Sequence, residues 1–169
     1  MNRILIACLL VFLMPNSGPS KADIKVALGR AEVYMEEALE FGVELYNIIA
    51  REGQKGKTDI DPKTWNEVIV PLGKKCSLRL EEAIKEIDAI RPKNFLRKPF
   101  WRRVYNDFYF DIGITADVMK DLSFYQSEYM QRIIGTDSLI LMYLSILNGK
   151  LKNLEDDIDS IATIRSEMK

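Results

Sequence analysis

The chain has 169 residues, of which 24 are basic, 25 acidic and 47% apolar, giving a formal net charge of −1. That length fits one domain able to bury a core of its own. It contains no histidine, which excludes Ser–His and Cys–His nucleophile systems, the Glu-x-x-His metal pairs of ferritin-like bundles and histidine-ligated haem.

The N-terminal stretch sets the expected compartment. Arg3 supplies a minimal positive charge, and Ile4 to Met14 is an uninterrupted apolar run of 11 residues. Pro15 and the polar residues Asn16 to Ser20 follow, and Ser20-Lys21-Ala22 places small side chains at −3 and −1 of a cut before Asp23. This is the pattern of a secretory signal peptide over residues 1–22. The run is too short to cross a hydrocarbon core of about 30 Å as a helix. Leu5-Ile6-Ala7-Cys8 superficially resembles a lipobox, but a cut there would fall inside the apolar region and leave it too short to insert. A frayed helix of a cytosolic protein would need an amphipathic pattern, and the run has none.

The expected mature domain, residues 23–169, keeps 22 basic and 25 acidic residues, a net charge of −3. Cys76 is its sole cysteine, so it can form no internal disulfide. It also lacks an Asn-x-Ser/Thr glycosylation site. Both features lean towards a bacterial periplasm over a eukaryotic secretory route.

Helical periodicity dominates from here on. Ala27, Ala31, Tyr34, Ala38, Phe41, Leu45 and Ile48 recur at spacings of three and four, which keeps them on one helix face. Ala31, Ala38 and Gly42 are small enough for a neighbour to approach closely. The helix is expected to end between Glu52 and Lys57, where two glycines lower its propensity. Asp61 then reads as an N-cap and Pro62 as the first helical residue. The second stripe runs Trp65, Ile69, Leu72, Cys76, Leu80, Ala83, Ile87, Ile90, and Pro71 within it should kink the helix. Arg91-Pro92 ends it.

The third segment opens between Phe95 and Pro99, carries Trp101, Val104, Phe108, Ile112 and Met119, and runs on towards Ile134, with an open question at Asp121-Leu122-Ser123. Gly135 reads as a helix C-terminus and Thr136-Asp137-Ser138 as a fresh N-cap. The last stripe is Ile140, Leu144, Leu147, Leu151, Leu154, Ile158, Ile161. The apolar run Leu139 to Leu147 suggests burial all round. Four long amphipathic helices with short loops predict an all-α, up-down four-helix bundle.

Little in the sequence points to chemistry. Glu36, Glu37, Glu40 and Glu44 read as a solvated face, as do Asp156, Asp157 and Asp159, whose spacing is not that of a calcium loop. Cys76 lies on an apolar stripe, so it reads as core despite the cations Lys74, Lys75 and Arg79. One segment departs from the rest: Arg91 to Arg103 holds six basic residues and no acid, with Phe95, Phe100, Trp101 and Tyr105 interleaved and Tyr109 following. These cations could pair with the acidic first helix or the acidic C-terminal turns, rest on anionic lipid with the aromatics in the interface, or contact a protein, since Trp, Tyr and Arg are enriched at binding hot spots. Trp101, Phe108 and Phe110 are expected to be core or partly core.

The expectation is therefore an exported, non-enzymatic helical binding protein, with neither cofactor nor metal, that engages a protein partner through Arg97, Lys98, Phe100, Trp101, Arg102, Arg103 and Tyr105. Adaptor, inhibitor, immunity and effector roles all fit. The alternatives are a peripheral protein on anionic membrane, using residues 91–105, and a bundle enclosing an apolar ligand. An exported, acidic protein is a poor candidate for nucleic acid. Val33 and Val43, outside the stripes, hint at self-association, and the oligomeric state is left open.

Overall fold

A computed structural model describes residues 18–122, 132 and 135–168. Most of the expected signal peptide lies outside the described residues. The described residues are almost entirely helical, in four long rods. α1 is Lys21–Gln54. α2 runs through a first turn Pro62–Thr64, a π-helical turn Trp65–Ile69 and the helix Val70–Ile90. α3 is built the same way, from Pro99–Val104, a π-helical turn Tyr105–Tyr109 and Phe110–Lys120. α4 is Leu139–Glu167.

The ends lie where local chemistry puts them. Ser20 and Asp23 form a reciprocal capping box on α1: the Asp23 N–H donates to Ser20 Oγ at 3.2 Å and the Ser20 N–H to Asp23 Oδ2 at 3.0 Å. Past Lys55 the chain turns at Gly56, whose φ of +77° favours a residue without Cβ. Asp61 caps α2, accepting from the Thr64 N–H at 3.0 Å, and Pro62 is its first residue. Gly135 has φ +69°, and Ser138 caps α4 by accepting from the Leu141 N–H at 3.4 Å. The Thr58 carbonyl accepts from the Ile140 N–H and Ser138 Oγ, both at 3.2 Å, tying the α1–α2 loop to the start of α4.

Pro71 does not break α2. The turn before it widens, so that the Val70 N–H bonds to the Trp65 carbonyl five residues back. The Pro62 carbonyl accepts from the Trp65 N–H and also from Asn66 Nδ2, the latter at 2.8 Å. The third helix ends at Lys120, and Asp121, at φ −135°, leaves the helical conformation; the expected extension towards Ile134 lies largely outside the described residues.

Interhelical pairs give the arrangement. Between α1 and α2, Arg30 meets Glu86 at 2.9 Å and Glu37 meets Arg79 at 2.7 Å. Between α1 and α4, Glu32 meets Arg165 at 2.8 Å, while Gly42 lies against Leu151 and Gly53 against Ile140. Between α2 and α3, Asp88 meets Tyr109 and Gly73 meets Met119. Arg103 reaches Glu167 to join α3 to α4. In the pairs with more than one such link, numbering rises along one helix as it falls along its neighbour, so α1/α2, α1/α4 and α2/α3 run antiparallel. The expected stripes form the core: Leu28, Met35, Leu45, Leu80, Ile87, Phe108, Ile112, Leu147 and Ile161 are each at most 0% exposed, each worth about 1.5–3 kcal/mol on burial. The apolar start of α4 is not buried all round, because Leu141 is 58% exposed.

Candidate interaction surface

The loop from α2 to α3 is shaped by two X-Pro steps. Arg91 before Pro92 and Lys98 before Pro99 are both extended, with ψ of 123°, as the proline ring demands of the residue ahead of it. Between them the chain makes a 3₁₀ turn, Phe95–Arg97, held by N–H donation from Phe95 to the Pro92 carbonyl and from Lys98 to the Phe95 carbonyl, each at 3.0 Å. Arg102 Nε donates to the Leu96 carbonyl at 3.2 Å, anchoring this turn to α3.

The π-turn of α3 gathers aromatic rings on one side. A widened turn brings residues five apart close to a common face, so Tyr105 meets Tyr109 and Phe110, with ring centroids 5.7 and 6.1 Å away. Phe95 comes to 5.6 Å from Tyr105 out of the preceding turn. The Arg91 guanidinium lies 4.5 Å from the Phe95 centroid and 5.1 Å from that of Tyr109, within cation–π range. Asp88 pairs with Arg91 at 2.9 Å and accepts from the Tyr109 hydroxyl at 2.8 Å. Desolvation, with the Asp88 hydrogen bond, pushes the Tyr109 phenol up to about 12, so it is a neutral donor at physiological pH.

The expected site residues divide by environment. Arg97, Lys98 and Arg102 are exposed, as is Lys93, and none has a carboxylate within ion-pair distance among the described residues. Arg103 is also exposed but engaged, to Asp107 at 3.2 Å and Glu167 at 2.5 Å; here the pairing with C-terminal acids does occur. Tyr105 and Phe100 are half-buried, and Phe100 packs edge-on to Trp101 at 5.4 Å. Trp101 is only 4% exposed. It belongs to the core and supports the surface from below, so it cannot itself meet a partner. Phe110, expected in the core, is 55% exposed: two residues on from Phe108 is about 200° around a helix. Leu96, in the loop, is 50% exposed. Arg91, Leu96, Tyr109 and Phe110 complete the surface and were absent from the expected set. The run of basic and aromatic types marks Arg91 and Tyr109 and encloses Leu96, while only the fold brings Phe110 against Tyr105.

Elsewhere, the Cys76 thiol is fully buried, points at the Ala38 carbonyl at 3.2 Å and is pushed up to about 12 by desolvation, which makes it chemically inert. Glu36, Glu40 and Glu44 are solvated, and Glu37 pairs with Arg79. Asp157, expected on a solvated face, is instead 3% exposed. No group of three or more Cys, Asp or Glu among the described residues could hold a metal ion, and no described helix is long and apolar enough to cross a membrane. The surface thus sets exposed cations beside an aromatic cluster. Comparison with known protein families, curated protein sequences and solved structures finds no match to this chain.

Proposed function

We propose that the chain is an exported helical binding protein, without catalysis of its own, that engages another protein through the basic–aromatic surface at the α2–α3 junction. One observation carries this reading: four exposed cations (Lys93, Arg97, Lys98 and Arg102) have no carboxylate within ion-pair distance among the described residues, and they adjoin an aromatic cluster whose Phe110 is 55% exposed. Cations spent on the fold are paired, as Arg79 and Arg103 are. Exposed aromatic area beside unpaired cations has the composition of a binding hot spot. A protein fits better than a lipid surface because Trp101 is turned inward, leaving no large indole to sit among headgroups.

The test is capture from the native exported fraction with tagged residues 23–169, beside a Lys93→Glu/Arg97→Glu/Lys98→Glu variant. A partner recovered by the native form and lost from the variant, with unchanged circular dichroism and melting temperature, is the expected result. Equal recovery by both forms would move the interface elsewhere. Cell fractionation checks export independently: full-length, uncut chain confined to the cytosol would sink that half of the proposal.

A further inference from the structure

We infer that the partner presents an acidic segment, with an apolar side chain among its carboxylates, to this surface; the inference rests on the binding reading above and specifies the partner's chemistry.

The first argument is electrostatic. The domain is acidic overall, yet residues 91–103 contain six bases and no acid. The structure splits those six. Arg91 and Arg103 are consumed by Asp88, Asp107 and Glu167, while Arg97, Lys98 and Arg102, with Lys93, keep their charge exposed and unpaired among the described residues. The uncompensated charge of this surface is therefore positive, and a complementary partner is negative.

The second argument is spatial. Arg97 and Lys98 sit in or directly after the 3₁₀ turn, and Arg102 is tied to it through the Leu96 carbonyl. That turn folds Phe95 against Tyr105, which also meets Tyr109 and Phe110. The cations thus adjoin Leu96, 50% exposed, and a cluster of rings that runs from Phe95 through Tyr105 to Phe110, 55% exposed. An apolar centre with a charged rim is the anatomy of a protein interface. Carboxylates fit the rim and one apolar side chain fits the centre.

The inference can be tested on the chain with two fluorescein-labelled peptides of equal length. One carries Phe and Leu spaced among glutamates; the other carries the same Phe and Leu among serines. The expected result is binding of the acidic peptide alone, weakening several-fold as salt rises from low to physiological strength. Lys93→Glu/Arg97→Glu/Lys98→Glu should reduce binding at least tenfold, and Phe110→Ser several-fold. A control with the same change in net charge, Lys63→Glu/Lys74→Glu/Lys152→Glu, should leave it within twofold. Equal binding of both peptides, or equal loss in the control, overturns the inference. So does binding of phosphatidylglycerol vesicles without binding of the acidic peptide, which would assign the surface to lipid. A photo-crosslinking residue in place of Leu96, used in the exported fraction, separates the two levels. A crosslinked partner segment without acidic residues sinks this inference and leaves the binding reading standing. No crosslink at Leu96, with capture by the same group placed at Val33, sinks both.

Discussion

Asp157 is the residue whose environment departs furthest from its chemistry. Its side chain is 3% exposed in α4, one carboxylate oxygen has no hydrogen-bond partner, and burial pushes its carboxyl up to about 7, with Asp111 and Asp156 adding to the shift and Lys150 opposing it. In the unfolded chain the same group titrates near 3.9. The fold therefore holds a proton that the unfolded chain releases. Its stabilising contribution is complete below about pH 4 and is lost as pH rises through 7, at most about 4 kcal/mol in all. Asp157→Asn, which stays neutral, should flatten that decline and raise stability at pH 8 by about 2–4 kcal/mol. Urea unfolding at a series of pH values checks it; parallel profiles for the two proteins would refute it. The helical spacing already marked this position, three residues after Leu154 and four before Ile161, but residue type argued for solvent and Ile158 was assigned the place. Spacing proved the better guide. Glu32 makes the same point more mildly: it is buried, its carboxyl is raised chiefly by desolvation, and Arg165 partly offsets that from 2.8 Å without the alignment of a hydrogen bond.

At the scale of the helix, small residues decide how closely the rods approach. A Cβ on Gly73 would lie 2.4 Å from the Met119 carbonyl oxygen, whereas one on Gly42 would meet the end of the Leu151 side chain at 2.3 Å. The backbone of α3 can yield only by moving the whole helix, while a leucine can change rotamer. Gly73→Ala should thus cost about 3 kcal/mol and Gly42→Ala about 1 kcal/mol, the range for overpacking a core. Thermal melts of the two variants should rank them in that order. Asp61→Ala removes the cap that also accepts from the Thr64 hydroxyl at 2.8 Å and should cost about 1 kcal/mol in the same assay. The caps at Asp61 and Ser138, the turn at Gly135 and the stop at Arg91-Pro92 were all legible, because each rests on chemistry within four residues. The π-turns were not. Pro71 signalled a disturbance, but whether a helix kinks or widens depends on what packs against it, here Trp65 on Tyr143 with centroids 5.1 Å apart. Gly42 was legible as a small residue on a stripe; Gly73, outside the stripe, acquires its role only from where α3 crosses.

Across the whole molecule the four stripes close on a common core, and the arrangement follows from periodicity and loop length. The candidate surface was only half legible. Its cations and several of its rings are neighbours in sequence, and so they announced themselves. The division of those cations into paired and unpaired was legible only in part: Asp88 and Asp107 lie three and four residues from Arg91 and Arg103, whereas Glu167 comes from α4. The inward turn of Trp101 was legible from its place on the stripe with Val104 and Phe108, and it takes from the surface the largest ring of the expected set.

The capping box of α1 bears on the order of events in the life of the chain. The bond expected to be cut, Ala22–Asp23, lies inside the first turn of the helix that Ser20 caps. Proteases bind their substrates extended, so a chain that folded first would conceal its own processing site. Maturation would then have to outrun folding. A cut there would discard Ser20 and leave a positive amino group at the positive end of α1, so a chain starting at Asp23 should begin with a looser turn than the uncut one. Amide exchange over residues 23–27 should be faster in a chain starting at Asp23 than in one starting at Gly18; equal protection would mean that tertiary packing, not the box, holds that turn.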